Sequence, residues 1–148
     1  EAELFSPDGK SIFHKSGDAT SITFTLDEMR QFDGGILTHN HPRHADGTSF
    51  SIEDIQVMTD WKLKEIRAVG GKYLHTLSVD SALTFQQFQD VANSVAPEAK
   101  ARIRKLKADG KITEDEYNRD WWHNMWSSVS DALGDRFRYK RIEHGYTG

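Results

Sequence analysis

The spacing of apolar and polar positions changes character about half-way along this chain. Up to about residue 80 the apolar runs are short, and several alternate with polar residues as half-buried strands do. Turn chemistry at Pro7-Asp8-Gly9 and again at Gly17-Asp18 brackets a short apolar run, which predicts a hairpin. "SITFTL", residues 21–26, alternates as a strand. Thr25 with Glu28 has the spacing of a capping box and predicts a short helix from Leu26 to Phe32, stopped at Gly34-Gly35. "GILTH" then predicts a buried strand, and Ser51 with Asp54 a second helix start whose inner face carries Ile52, Ile55, Met58 and Thr59. "EIRAVG" and "KYLHTLSV" predict two strands joined around Gly70-Gly71.

From Thr84 onward the period is helical. Phe85, Phe88 and Val91 repeat at helix spacing, and Pro97 predicts the start of a separate basic helix, "PEAKARIRKLKADG", ending at Gly110. Thr113 with Glu116 opens another, bearing Tyr117, Trp121, Trp122, Met125, Trp126, Val129 and Leu133. The tail "RFRYKRIEHG" alternates apolar and basic residues and predicts a last strand. No repeat, low-complexity tract or linker divides the chain. The expectation is one domain over residues 1–148 of the α/β (α+β) class: a mixed sheet with flanking helices over 1–80, then a helical elaboration and final strand over 81–148.

Composition narrows the chemistry. A net charge of −4 gives no global attraction to nucleic acid or to an anionic membrane. No apolar run approaches the ~20 residues that span a bilayer, and the N-terminus lacks the basic-plus-apolar pattern of a signal. Cysteine is absent, so a transition metal here has to take His, Asp or Glu. The chain opens at Glu1 without a methionine, which suggests a piece of a longer polypeptide, delivered by whatever precedes it.

The concentrated chemistry lies in "ILTHNHPRHADGTSFSIEDI", residues 36–55. Strand residues i and i+2 face the same side, so His39 and His41 can point at one ion, and Pro42 turns the chain away. Zinc takes three or four N/O ligands, and a catalytic zinc keeps a position for water. Asp54, in the first turn of the next helix, can reach back over the strand end as third ligand. Surface exposure, or ordering of a loop by hydrogen bonds, is the plainer account of two such histidines. His44 and Asp46 fall in the connecting loop and are expected to face solvent.

"His39-Asn40-His41-Pro42 … Ser51-Ile52-Glu53-Asp54" resembles the signature of the JAMM (JAB, MPN+) zinc metallopeptidases, His-x-His-x7-Ser-x-x-Asp. It also resembles the "HNHP" variant of bacterial RadC-like proteins. "LTHNHP", a Gly-Thr-Ser-Phe-Ser segment and "EIRAV", in that order, are similar to JAB-like domains at the C-termini of phage structural proteins and bacterial polymorphic toxins. The resemblance covers residues 1–79. It implies zinc bound by His39, His41 and Asp54, an oxyanion contact from Ser51, and a general-base glutamate on the first strand. Glu3 is the residue in that place, with Glu1 as its substitute; Glu28 has its capping-box spacing to account for it. This chain departs from the signature: nine residues, not seven, separate His41 from Ser51. Ser49 satisfies the seven-residue spacing, but three residues on stands Ile52, which cannot ligate.

The implied activity is a zinc-dependent hydrolase acting on an amide or isopeptide bond of a protein or peptide, as an effector or toxin domain of a longer bacterial or phage polypeptide. As part of a secreted or virion protein, such a domain would be delivered into a target-cell cytoplasm. Two alternatives stand beside it. One is an inactive module that keeps the MPN scaffold for binding. The other is a toxin domain acting on nucleic acid through "KARIRKLKADGK", "RFRYKR" and the tryptophans; the solvated face of an amphipathic helix is the simpler account of those residues. An HNH nuclease is set aside, because that motif spreads its residues over a ββα unit. Trp121 and Trp122 are adjacent and cannot both face one core, so the Trp121/Trp122/Trp126 helix is a candidate contact for an immunity protein or the parent polypeptide. His123 is a lesser candidate for that surface, and His14, His75 and His144 suggest nothing.

Overall fold

The turn at Pro7-Asp8-Gly9 reverses the chain as its residues dictate. Gly9 takes φ +90°, a left-handed conformation costly for any side-chain-bearing residue, and its N–H donates to Ser6 O. The strands it joins are β1 (Ala2–Phe5) and β2 (Ser11–Lys15). A computed structural model describes residues 1–16, 24–40 and 49–143 of the chain. Four further strands, β3 (Ile36–Asn40), β4 (Glu65–Gly70), β5 (Tyr73–Val79) and β6 (Phe137–Glu143), complete one sheet in the order β2-β1-β3-β4-β5-β6. β3 and β4 are parallel and every other neighbouring pair is antiparallel, so the fold is α+β with a mixed sheet.

The helices are α1 (Leu26–Met29), α2 (Ile52–Asp60), α3 (Phe85–Ala108) and α4 (Glu114–Leu133). All four open with the same device. Thr25, Ser51, Thr84 and Thr113 each accept the third residue's backbone N–H, and that residue's side chain returns to the cap's own N–H. A cap of this kind is worth about 1 kcal/mol, enough to set where a helix begins.

Three local expectations need correction. Of the strand expected over residues 21–26, 21–23 lie outside the described residues, Phe24 and Thr25 are not in a strand, and Leu26 opens α1. Thr25 spends its side chain capping α1, while Phe24 packs with Phe13 and Phe32 in an aromatic trio. α1 also ends at Met29, before Phe32, which turns inward and is fully buried. The third correction is at Pro97, where one helix, α3, runs straight through. Proline removes the hydrogen bond to Asn93 O, yet Asn93 and Pro97 both lie on the exposed side, where water can serve that carbonyl. Phe88, Ala99 and Ile103 are buried on either side of the proline, which keeps the helix on one line.

Register and burial together define two faces of the sheet. Ala2, Leu4, Leu37, Ile66, Ala68, Tyr73, His75, Leu77, Phe137 and Tyr139 are all buried on one face. All of these but Tyr73 and His75 share one core cluster with Ile55 and Met58 of α2, Phe88 and Ala99 of α3, and Met125, Trp126 and Val129 of α4. Across from them, Arg67, Val69, Arg138, Lys140 and Ile142 are exposed, so among the described residues helices cover one face. α2 forms the crossover between parallel β3 and β4, and its N-terminus follows from the carboxyl end of β3. In open α/β sheets that end of the strands is where ligand sites collect.

Candidate functional site

His39 lies one residue from the end of β3, on the helix-covered face. Its Cα is level with Ala2 on β1 and Ala68 on β4; Ala68 is level with His75 on β5, and His75 with Arg141 on β6. Ala2, His39, Ala68, His75 and Arg141 therefore form one cross-strand row. Two strand spacings put the histidine backbones about 10 Å apart. Phe50 lies over the row: its ring is edge-on to His39 at 6.4 Å, to His75 at 6.2 Å and to Tyr139 at 6.3 Å. This contact brings the residue preceding Ser51 against the His39 imidazole.

Ser51 caps α2, accepting the Asp54 N–H on Oγ at 3.2 Å, and Asp54 Oδ2 accepts the Ser51 N–H at 2.9 Å. Ser51 thus serves as acceptor and keeps its own O–H for another partner. Asp54 keeps Oδ1 clear of any described donor. His41, the second expected ligand, lies outside the described residues, as do His44 and Asp46. Among the described residues no three His, Asp or Glu side chains form a group able to hold an ion. What is described of the expected donor set, an imidazole on β3 and a partly committed carboxylate on α2, has the N/O chemistry zinc accepts.

Glu3 stands apart from this set. Its Cα is level with Thr38 on β3 and His14 on β2, one residue out of step with His39, so its side chain leaves the opposite face of the sheet. Glu1 shares that face and pairs with His14 at 3.5 Å. Glu28 is taken up structurally, by the Thr25 cap and by Lys15 Nζ at 2.6 Å. The bond from Lys15, followed by that from the Thr25 backbone, holds its carboxyl below the usual range.

Behind Phe50 runs a buried polar chain absent from the sequence expectations. Ser49 Oγ bonds Tyr139 Oη at 2.8 Å, Tyr139 Oη bonds His123 Nδ1 at 2.9 Å, and Trp126 Nε1 donates to Phe50 O at 2.8 Å. Burial first, and the charge of Arg141 second, lower His123 to about 4. Burial likewise pushes the Tyr139 hydroxyl far above its ordinary value, so at neutral pH this chain is uncharged. Beside it, burial alone would raise Asp120, but bonds from Arg119 and Arg141 outweigh it and hold the carboxyl below its ordinary value. Alternation in "RFRYKR" places Tyr139 on an inner face. No local signal names the serine 90 residues away that it meets.

The tryptophans divide their roles. Trp126 is buried, Trp122 stacks on it at 5.2 Å, and Trp121 packs against Tyr117 at 5.6 Å with the Arg104 guanidinium over its ring. Much of the basic segment is engaged within the chain: Lys105 pairs with Asp109, Lys107 with Glu114, and Arg102 donates to Ser128. No helix among the described residues is long and apolar enough to cross a membrane.

Comparison with protein-family models, with curated proteins and with solved structures finds no match to this chain.

Proposed function

We propose that this domain is a zinc-dependent hydrolase of the JAMM type, acting on an amide or isopeptide bond of a protein or peptide. The observation that supports this reading is the His39–Phe50 contact, which brings the residue preceding the α2 cap against the strand that carries His39. His39 and Asp54, with His41, would hold the ion; when bound it supplies Lewis acidity, polarising a carbonyl and activating water at neutral pH. Ser51 offers its free O–H to an oxyanion, and the α2 N-terminus adds its partial positive charge. Elemental analysis of protein purified without chelators tests the proposal. Stoichiometric zinc is expected, falling to background in His39→Ala and Asp54→Ala. Ser51→Ala should keep the zinc and lower kcat by about 100-fold on a cleavable isopeptide probe. Folded protein without zinc sinks the reading.

A second reading, a binding module without turnover, is favoured by one observation: Glu1 and Glu3 leave the face opposite His39, so β1 offers that imidazole no general base. Zinc retained with no hydrolysis of any peptide or isopeptide probe supports the module. Zinc-dependent hydrolysis of an isopeptide probe by the wild-type protein supports the enzyme.

A further inference from the structure

Ser49 and Phe50 belong to no helix or strand, yet they are 5% and 0% exposed. A buried stretch without a ladder has to find hydrogen-bond partners elsewhere, because a buried polar group left unpaired forfeits its hydration. Two of its polar groups are satisfied from the far half of the chain: the Phe50 carbonyl by Trp126 of α4, and the Ser49 hydroxyl by Tyr139 of β6, which His123 of α4 holds from the other side. The next residue is the α2 cap, and the Phe50 ring rests on His39.

We propose that Trp126, Tyr139 and His123 are positioning residues: they clamp Ser49–Phe50 from α4 and β6, and through it hold the Phe50 ring on His39 and the start of α2, with its Ser51–Asp54 cap, in place. The inference rests on the zinc-site reading above and deepens it. It makes the C-terminal helices and last strand part of the working unit, because Ser49 and Phe50, which lead into the helix bearing Asp54, have tertiary hydrogen bonds there. Trp126 contributes both a ring to the core and a donor to the clamp. Tyr139 is the cleaner probe: Tyr139→Phe deletes one oxygen, keeps the ring that stacks on His75, and releases Ser49 and His123 together.

The test has two arms on the full chain, with Tyr139→Phe and Ser49→Ala as independent variants. Amide hydrogen exchange of the metal-free proteins reads the clamp directly. Exchange at the Ser51 and Asp54 N–H groups should quicken about tenfold in both variants, with no further gain in the double variant, while Ile66 and Leu77 stay protected. Cobalt(II) titration, followed by its visible absorption, reads the consequence: affinity about tenfold weaker or more, as removal of a supporting hydrogen bond commonly costs a metal site. Unchanged exchange at both amides overturns the clamp, and so does wild-type cobalt affinity despite faster exchange. Wild-type protein that takes up no cobalt overturns the zinc reading instead, and the exchange arm then decides the clamp alone.

Discussion

His39 and His75 stand on the same face of the same sheet, in one cross-strand row with Ala68 between them, and Phe50 touches both. Their surroundings differ in burial and in their other ring neighbours. His75 is 0% exposed, flanked by Tyr73 and stacked on Tyr139. His39 is half-buried beside Ala2 and Ala68, next to the segment carrying the other histidines. The difference comes from what the far half of the chain supplies. β6 extends the sheet past β5 and brings Tyr139 down on His75, while the residues flanking His39 are small. An imidazole enclosed by rings serves packing. The imidazole near the carboxyl end of β3 has small cross-strand neighbours in Ala2 and Ala68.

The comparison breaks most readily at Trp126. Trp126→Ala empties a buried indole site and orphans the Phe50 carbonyl, so about 3–5 kcal/mol should be lost in urea denaturation. Trp121→Ala, at a half-buried position, should cost distinctly less. If the two cost the same, the clamp region is not part of the core. Next come the histidines themselves. His75→Ala should cost about 2–3 kcal/mol and His39→Ala under about 1 kcal/mol. Zinc content should respond in the opposite order, lost with His39 and retained by whatever His75→Ala protein remains folded. Equal losses of stability would dissolve the distinction between them.

Tyr139→Phe should cost about 1–2 kcal/mol, through the buried hydroxyl shared by Ser49 and His123. Proton linkage sharpens the picture further. His123 is lowered from 6.5 to about 4 in the folded chain, so the unfolded chain binds the extra proton between those values. This contribution to stability is complete above pH 6.5 and is lost as pH falls toward 4. Replacing His123 with Asn should flatten the thermal midpoint's dependence on pH over that window; an unchanged slope would mean that carboxylates, not His123, account for it. A small loss is also expected at the α2 cap. Ser51→Ala should cost about 1 kcal/mol of stability, seen as a modest fall in the thermal midpoint.

Where short-range chemistry decides, the chain could be read directly. Gly9 in its turn, the capping-box pairs at Thr25, Ser51 and Thr113, and the alternation in "EIRAVG", "KYLHTLSV" and "RFRYKR" each predicted the element observed. The failures share a cause. Pro97 predicts a helix start by its missing N–H, but its solvent-facing position lets one helix pass through it. Glu3 looked well placed by position along the chain, yet its face is set by a register with β3, 35 residues on. His75 suggested nothing, because only the pairing of β4 with β5 puts it in a row with His39.

Local sequence thus determined where helices start, which stretches alternate, and that His39, Ser51 and Asp54 would lie near one another along the chain. Those outcomes rest on interactions spanning a few residues, whose free energies do not depend on the rest of the molecule. Tertiary structure alone decided which face Glu3 occupies, that His75 is enclosed, and that Tyr139 and Trp126 reach back to Ser49 and Phe50. Each of those depends on a strand register or a packing contact between distant segments, which the chain acquires only when the whole sheet and its covering helices close together.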